Sequence, residues 1–134
     1  MTTVRYEGER LYGRARVYAV DEDGTRCRLE HRIVLHSPEG LDWGYAGFGA
    51  AELALNLLVD ALGEEATCTV CRGRGRFRGQ ACADCRGLKV SWRVWAAHQP
   101  FKWFYVVGLP DRWLLQRAEI VEWFHAPAAG AAAC

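Results

Sequence analysis

The segment Cys68–Gly87, CTVCRGRGRFRGQACADCRG, decides how the middle of this chain folds. It holds two CxxC pairs separated by ten residues, and Arg-Gly follows each pair at the same offset. Four thiolates at this spacing suit one tetrahedral zinc ion, and the glycines permit tight or left-handed turns that aim amide N–H groups at sulfur. The sequence therefore predicts a Zn²⁺ site with Cys68, Cys71, Cys82 and Cys85 as its ligands.

The predicted zinc ion has a structural role, because four thiolates fill the tetrahedron and leave no position for water. Redox chemistry at the CxxC pairs is the alternative, and it is disfavoured because redox sites usually have a single pair at a helix start. We expect Cys27 to be a small core residue and Cys134 to be a thiol in a disordered tail.

Sequence motifs of common enzyme classes do not occur in the chain. It contains no nucleophile elbow, phosphate loop or HExxH motif, so we expect a binding protein and not an enzyme. His31, His36 and Ser37 invite a catalytic interpretation. We expect instead that His31 is a hydrogen-bonded core histidine and that His36-Ser37-Pro38 forms a turn.

Length and composition predict one globular core with a small appendage. The chain has 134 residues, of which 51% are hydrophobic and 25% are charged. The N-terminus resembles no targeting signal and no apolar run is long enough to span a bilayer, so we expect a cytoplasmic protein. In that reducing compartment, closely spaced cysteines are more often metal ligands than disulfides.

Positive charge is concentrated around the cysteines. The stretch 72–93 has seven basic residues and one acid, a net charge of +6, whereas the remaining residues have ten bases and fifteen acids, a net charge of −5. This asymmetry is typical of a protein that binds nucleic acid or an acidic protein. The predicted nucleic-acid contacts are Arg72, Arg74, Arg76, Arg78, Arg86, Lys89 and Arg93.

Arginines occupy every second position from Arg72 to Arg78. If this connection is extended, its guanidinium groups lie on one face about 6.6 Å apart, a spacing suited to phosphates. Phe77 is then placed either to stack on a base or to cap the zinc core. A solvated basic loop that balances the acidic body, and a loop that binds an acidic protein, are the alternatives.

The clearest helix pattern is Ala50–Leu62, whose apolar positions cover a broad face. Glu52, Asn56 and Asp60 mark its predicted solvent side, and Gly63 is placed to cap its C-terminus. The aromatic loop before it, with Trp43 and Tyr45 between glycines, is either an exposed interaction surface or packing beneath the helix.

Alternating polar and apolar residues predict a hairpin between Arg14–Val20 and Cys27–Leu35. Val90–His98 fits a helix or a strand, and we favour a short helix. We expect a buried strand at Phe101–Leu109 and an amphipathic helix at Arg117–His125. The predicted fold class is therefore α+β, with a small antiparallel sheet, two or three helices and an inserted one-zinc finger.

Two stretches resemble known families. The unit Cys68-Thr-Val-Cys-Arg-Gly-Arg-Gly75 resembles the CxxCxGxG repeat of the cysteine-rich domain of DnaJ-type co-chaperones, and Cys82-Ala-Asp-Cys-Arg-Gly87 matches it less completely because Leu88-Lys89 replaces the last x-Gly. The chain has two such units where that domain has four, and it lacks the His-Pro-Asp signature of the J-domain. The resemblance therefore implies metal ligation and not co-chaperone activity.

The run Trp43-Gly44-Tyr45-x-Gly47-x-Gly49 leads into Leu53-Ala54-Leu55. With further short matches, it resembles a family of small uncharacterised bacterial and bacteriophage proteins, a domain of unknown function. Members pass from the first helix almost directly to the Phe-Lys element, so the resemblance implies that the zinc segment is an insertion. The further matches are Tyr6-x-Gly8-x-Arg10, His31-Arg32, His36-Ser37-Pro38-x-Gly40, Phe101-Lys102 and Leu109-Pro110.

The sequence thus predicts an α+β body formed by residues 1–66 and 90–126, an inserted zinc-finger module at 67–89 and a disordered tail at 127–134. The predicted function is that of a zinc-containing protein that binds DNA or RNA, contacting phosphates through the basic loop of its zinc finger. The alternative is a phage-type protein-interaction module that inhibits a host complex, such as a nucleic-acid-guided defence complex. The candidate interaction surface comprises Trp43, Tyr45 and Phe77.

Overall fold

The computed structural model describes residues 2–126, and over this range three helices and a four-stranded antiparallel sheet form the body. The strands are β1 (Thr3–Leu11), β2 (Arg14–Asp21), β3 (Arg26–Arg28) and β6 (Arg112–Gln116), in the order β3-β2-β1-β6. The helices are α1 (Phe48–Leu62), α2 (Trp92–Phe101) and α3 (Arg117–His125), and the short strands β4 (Arg76–Phe77) and β5 (Gln80–Ala81) form a separate hairpin. The predicted α+β fold class is confirmed.

Helix α1 is the centre of the core, because 13 of its 15 residues are buried. Its leucines Leu53, Leu57 and Leu58 are fully inaccessible to solvent. The helix ends at Gly63, where a left-handed φ of +61° permits the predicted C-terminal cap. The predicted helix is thus confirmed, with two additional residues at its start.

The predicted hairpin is confirmed, but its second strand is much shorter than expected. β3 ends at Arg28, and the backbone that follows turns to side chains of α1: the Ile33 N–H donates to Asn56 Oδ1 at 3.0 Å. The expectation that Cys27 is a core residue is wrong, because it lies in an edge strand whose three residues are all exposed.

Two strands from opposite ends of the chain lie side by side, which the sequence patterns did not reveal. β1 pairs with β6 in antiparallel register, with Tyr6 opposite Leu115 and Gly8 opposite Trp113. The Tyr6 hydroxyl donates to Asp60 Oδ2 at 2.7 Å and joins β1 to α1. The pairing therefore adds β6 to the sheet as its edge strand next to β1.

Gly8 makes room for the indole of Trp113. Replacing it with alanine is expected to lower the free energy of unfolding by about 2–3 kcal/mol, because the new Cβ would lie 2.1 Å from Trp113 Cε2. That indole packs edge-on against Trp43, with ring centroids 5.5 Å apart, so it cannot retreat easily. Urea denaturation measures the change, and Gly108→Ala, where a Cβ meets no atom within 4 Å, is the matched control. Equal stability of the two variants would contradict this packing.

The predicted buried strand at Phe101–Leu109 is wrong. The chain continues from α2 through Pro100 into a π-helical turn at Lys102–Val106, with Trp103 and Phe104 exposed. A short apolar run fits a helix or a strand equally well by periodicity, and only the backbone hydrogen bonds decide. A widened π turn next to a proline is a recognised irregularity of helices.

The other two predicted helices are confirmed. α2 covers most of Val90–His98, and α3 has the predicted bounds, with Ile120 and Phe124 buried. The predicted tail at 127–134, with Cys134, lies outside the described residues. Across residues 2–126, no helix has both the length and the apolar character needed to cross a membrane.

Candidate metal centre and the basic surface around it

The four predicted cysteine ligands come together in one buried cluster. Their Sγ atoms all lie within 4.8 Å of one another, and each residue is at most 4% exposed. Sγ of Cys71 and Sγ of Cys85 are 3.6 Å apart. Zinc–sulfur bonds of about 2.3 Å in a tetrahedron place sulfurs about 3.8 Å apart, so this arrangement fits a single tetrahedral metal ion.

The two CxxC units have the same backbone turn. Arg72 and Arg86 have φ of +54° and +55°, and the glycines after them, Gly73 and Gly87, have φ of +79° and +82°. Only glycine adopts such angles without cost, which explains its repetition in the sequence. The two units therefore fold in the same way. We call them the first knuckle (residues 68–75) and the second knuckle (residues 82–89).

The knuckles are related by a local pseudo-twofold arrangement. The Cys68 N–H donates to the Lys89 carbonyl, and the Cys82 N–H donates to the Gly75 carbonyl, both at 2.9 Å. Lys89 and Gly75 each lie four residues after the second cysteine of their knuckle, and their φ values are +73° and +77°. Lys89 therefore adopts the left-handed backbone even though the sequence lacks glycine there.

Backbone amides and burial have opposite effects on the pKa values of the thiols. Burial raises the pKa of Cys68. Burial also opposes ionisation of Cys71, but the amide N–H of Gly75, 3.3 Å from its sulfur, and the neighbouring thiols lower its pKa below the usual range. The prediction that an amide points at sulfur is confirmed in the first knuckle.

The segment 67–89, which contains both knuckles, enters and leaves the body through two backbone stretches that lie side by side. Thr67 and Val90 form an antiparallel bridge, and the Ser91 N–H donates to the Ala66 carbonyl at 2.8 Å. The Ser91 hydroxyl then caps the first turn of α2. The chain therefore enters and leaves the knuckles at one point between α1 and α2.

All seven predicted nucleic-acid contacts are exposed, and we call them the basic surface. None of them forms an ion pair with any residue of the described range 2–126. Several instead lie over aromatic rings, with Arg78 over Phe77 and Arg86 over Trp92. The members of the basic surface are Arg72, Arg74, Arg76, Arg78, Arg86, Lys89 and Arg93.

The predicted straight row of arginines is wrong. Arg72 and Arg78 have left-handed backbones in two separate turns, and only Arg76–Phe77 is a strand. The Arg76 guanidinium folds back to donate to the Gly79 carbonyl. Alternation along the sequence therefore does not give one evenly spaced face, because the hairpin reverses the chain at Arg78-Gly79.

The candidate interaction surface divides into buried and exposed members. Trp43 is fully buried and its indole N–H donates to the Pro110 carbonyl at 2.7 Å, so the packing alternative is correct for it. Tyr45 and Phe77 are each about half exposed, at 50% and 49%. Only these two remain available to a partner.

Sequence patterns missed a buried polar cluster, because Glu52 and Asn56 lie in the core and not on the solvent side of α1. The Glu52 carboxylate accepts the backbone N–H groups of residues 35–37 at 2.9–3.2 Å. Nε2 of His31 lies 2.8 Å from the same carboxylate, which confirms the prediction that His31 is hydrogen-bonded. Burial opposes ionisation of Glu52, but these donors together lower its pKa.

His36 reaches across to α2. Its Nε2 lies 3.0 Å from Nε2 of His98, and its ring stacks on those of His98 and Trp95. His98 is 2% exposed, and burial lowers its pKa. The two histidines therefore join the irregular segment 29–37 to the second helix.

The fold and the site define a small α+β protein with a four-cysteine cluster placed to hold a metal ion. The chain belongs to the family of unknown function DUF6166, whose model matches residues 6–77. That range includes Cys68 and Cys71 and ends before the second CxxC pair. No curated protein and no solved structure matched the chain. The family match confirms the predicted kinship, and the DnaJ-type resemblance and a phage origin stay predictions.

Proposed function

We propose that this protein binds a structural zinc ion through Cys68, Cys71, Cys82 and Cys85 and uses the surrounding basic surface to hold nucleic-acid phosphates. The zinc assignment is supported by the chemistry of the donors, since four thiolates favour zinc and close its coordination sphere. The protein is a binder in this proposal, and the metal serves to fix the knuckles and not to activate a substrate.

The observation that carries the nucleic-acid proposal is the lack of ion pairs across the basic surface. In the body, several acidic side chains do have basic partners: Arg10 pairs with Asp42 and Asp111, and Arg32 pairs with Glu30 and Asp60. A loop that merely balanced the acidic body would be expected to contact such carboxylates. The unpaired cations instead favour an external polyanion.

Two exposed aromatic side chains extend the proposal to unpaired bases. Phe77 and Trp92 are 49% and 50% exposed, and each lies beside an arginine of the basic surface. Aromatic rings next to arginines are typical of surfaces on which single-stranded bases stack without sequence preference. We therefore expect stronger binding to single strands than to duplexes.

Replacing Arg74, Arg76 and Arg78 together with glutamine is expected to weaken binding to every oligonucleotide sequence. Loss of three phosphate contacts should reduce the slope of log K against log salt by about 2 for a single strand. Fluorescence anisotropy of labelled single- and double-stranded DNA and RNA, titrated with zinc-loaded protein at several salt concentrations, measures both effects.

The matched control is Arg26→Gln/Arg32→Gln/Arg112→Gln, which removes the same charge from exposed positions of the body. Zinc content and circular dichroism of both variants should equal those of the wild type. Unchanged affinity and salt slope in the knuckle variant would remove these arginines from the interface, and no binding of the wild type at low salt would reject the nucleic-acid proposal.

A protein-interaction module is the second candidate function, including an inhibitor of a host nucleic-acid-guided complex. The observation that favours it is the pair Trp103 and Phe104, which are 63% and 68% exposed on the π-helical turn. Adjacent exposed aromatic rings are typical of protein interfaces. This candidate predicts no affinity for bare oligonucleotides and loss of partner binding in Trp103→Ser.

A further inference from the structure

A second concentration of positive charge lies in a recess far from the cysteines. The recess has a volume of about 600 Å³, within the range of small-ligand sites, and it lies between the start of β2, the end of β3 and the loop that leads into α1. We call it the arginine recess after Arg14, Arg16 and Arg28, which line it together with His31 and Tyr45.

The three arginines of the recess have no ion-pair partner within residues 2–126. Two carboxylates also line the recess, but Asp42 is hydrogen-bonded by Arg10 and by the Tyr45 hydroxyl, 2.5 and 2.7 Å away. Burial opposes ionisation of Asp42, and these donors lower its pKa. Glu39 is left as the one opposing charge, so the lining is net positive.

Two side chains that line the recess are held in position by hydrogen bonds to other residues. His31 is fixed through Nε2 by the fully buried Glu52, which leaves Nδ1 for other partners. Tyr45 is fixed through its hydroxyl by Asp42, while half of its surface stays exposed. The recess therefore offers a restrained imidazole and a restrained aromatic ring beside three exposed guanidinium groups.

We propose that the arginine recess binds a small phosphorylated ligand of nucleotide size. Guanidinium groups bind phosphate oxygens through two parallel hydrogen bonds, and the ring of Tyr45 supplies a face for a base. Gly49, at the start of α1, lines the recess, whereas the knuckles follow the end of this 15-residue helix. At a rise of 1.5 Å per residue the two ends of this helix are roughly 20 Å apart, so the recess and the knuckles lie at opposite ends of it and the site is independent of the proposed nucleic-acid surface.

Isothermal titration of the zinc-loaded full chain with ATP and with sodium pyrophosphate, at constant ionic strength, tests the proposal. Both probes should bind, and ATP should bind more tightly because only it has a base. Arg14→Gln/Arg16→Gln/Arg28→Gln should weaken both at least about tenfold, since a charge-assisted hydrogen bond contributes that much or more. Tyr45→Leu should weaken ATP and leave pyrophosphate unchanged.

The knuckle variant Arg74→Gln/Arg76→Gln/Arg78→Gln separates this proposal from the preceding one. It should bind both probes as the wild type does, within about twofold. If neither probe binds the wild type, or if the knuckle variant loses ATP as fully as the recess variant does, the recess is not the site. Loss of oligonucleotide binding in the knuckle variant supports the nucleic-acid proposal. The ATP titrations then decide separately whether the recess is a binding site.

Discussion

Replacing Cys71 with serine is expected to abolish tight metal binding and to unfold the knuckles while the body stays folded. The only buried cluster in the segment 67–89 is formed by the four cysteines themselves, and the strands β4 and β5 have two residues each. Such a segment has too little apolar surface to fold alone, so the apparent binding energy of a structural zinc ion, on the order of 10 kcal/mol, is its folding energy.

Metal content by mass spectrometry should fall from about one zinc per chain to below about 0.1 in Cys71→Ser. Limited trypsin digestion should then cut rapidly at the arginines of the first knuckle, because only an unfolded backbone can extend into the active site of the protease. Cys27→Ser, at an exposed position in β3, is the matched control and should keep full zinc. Stoichiometric zinc in Cys71→Ser would show that the cluster does not need this thiolate.

Replacing Glu52 with glutamine is expected to lower the free energy of unfolding by about 3 kcal/mol or more. The carboxylate is fully buried and accepts three backbone N–H groups and the His31 ring. An amide in the same place directs an NH₂ group at these donors and leaves at least one of them unpaired. The melting temperature should fall by roughly 10 °C.

Glu22→Gln is the matched control for Glu52→Gln, because Glu22 is exposed in the turn between β2 and β3. Its effect on the free energy of unfolding should stay below about 0.5 kcal/mol.

The pH dependence of stability gives a second readout for Glu52→Gln. The pKa of Glu52 is lower in the folded chain than the ordinary value of 4.5, so its contribution is present above 4.5 and is lost as the pH falls through the folded pKa. The difference between variant and wild type should therefore shrink in acid, and a constant difference would count against the carboxylate's role.

Local sequence patterns were sufficient to predict the elements that are specified by residues close together in the chain. The cysteines, the helix ending at Gly63, the β2–β3 turn and the terminal helix Arg117–His125 could all be predicted, because spacing, capping and turn residues specify them within a few positions. The alternation of arginines failed as a guide, since the hairpin turn at Arg78-Gly79 breaks the period.

Long-range pairings could not be predicted from such patterns. β6 has only five residues, and its backbone forms a strand by pairing with β1, which lies more than a hundred positions earlier. A polar side chain on a helix is usually exposed, so the pattern predicts that Asn56 faces solvent. Its Oδ1 and Nδ2 instead satisfy the backbone of Ile33, and no local pattern identifies that partner.

The sequence by itself determined the four-cysteine cluster and the class of fold, because a site that could hold a metal needs only four cysteines at suitable spacing and a helix needs only its periodic apolar face. Tertiary structure alone decided the burial of Glu52 and Asn56, the pairing of β1 with β6 and the arginine recess. The physical reason is that burying a polar group costs free energy unless a partner meets it, and here the partners come from distant segments.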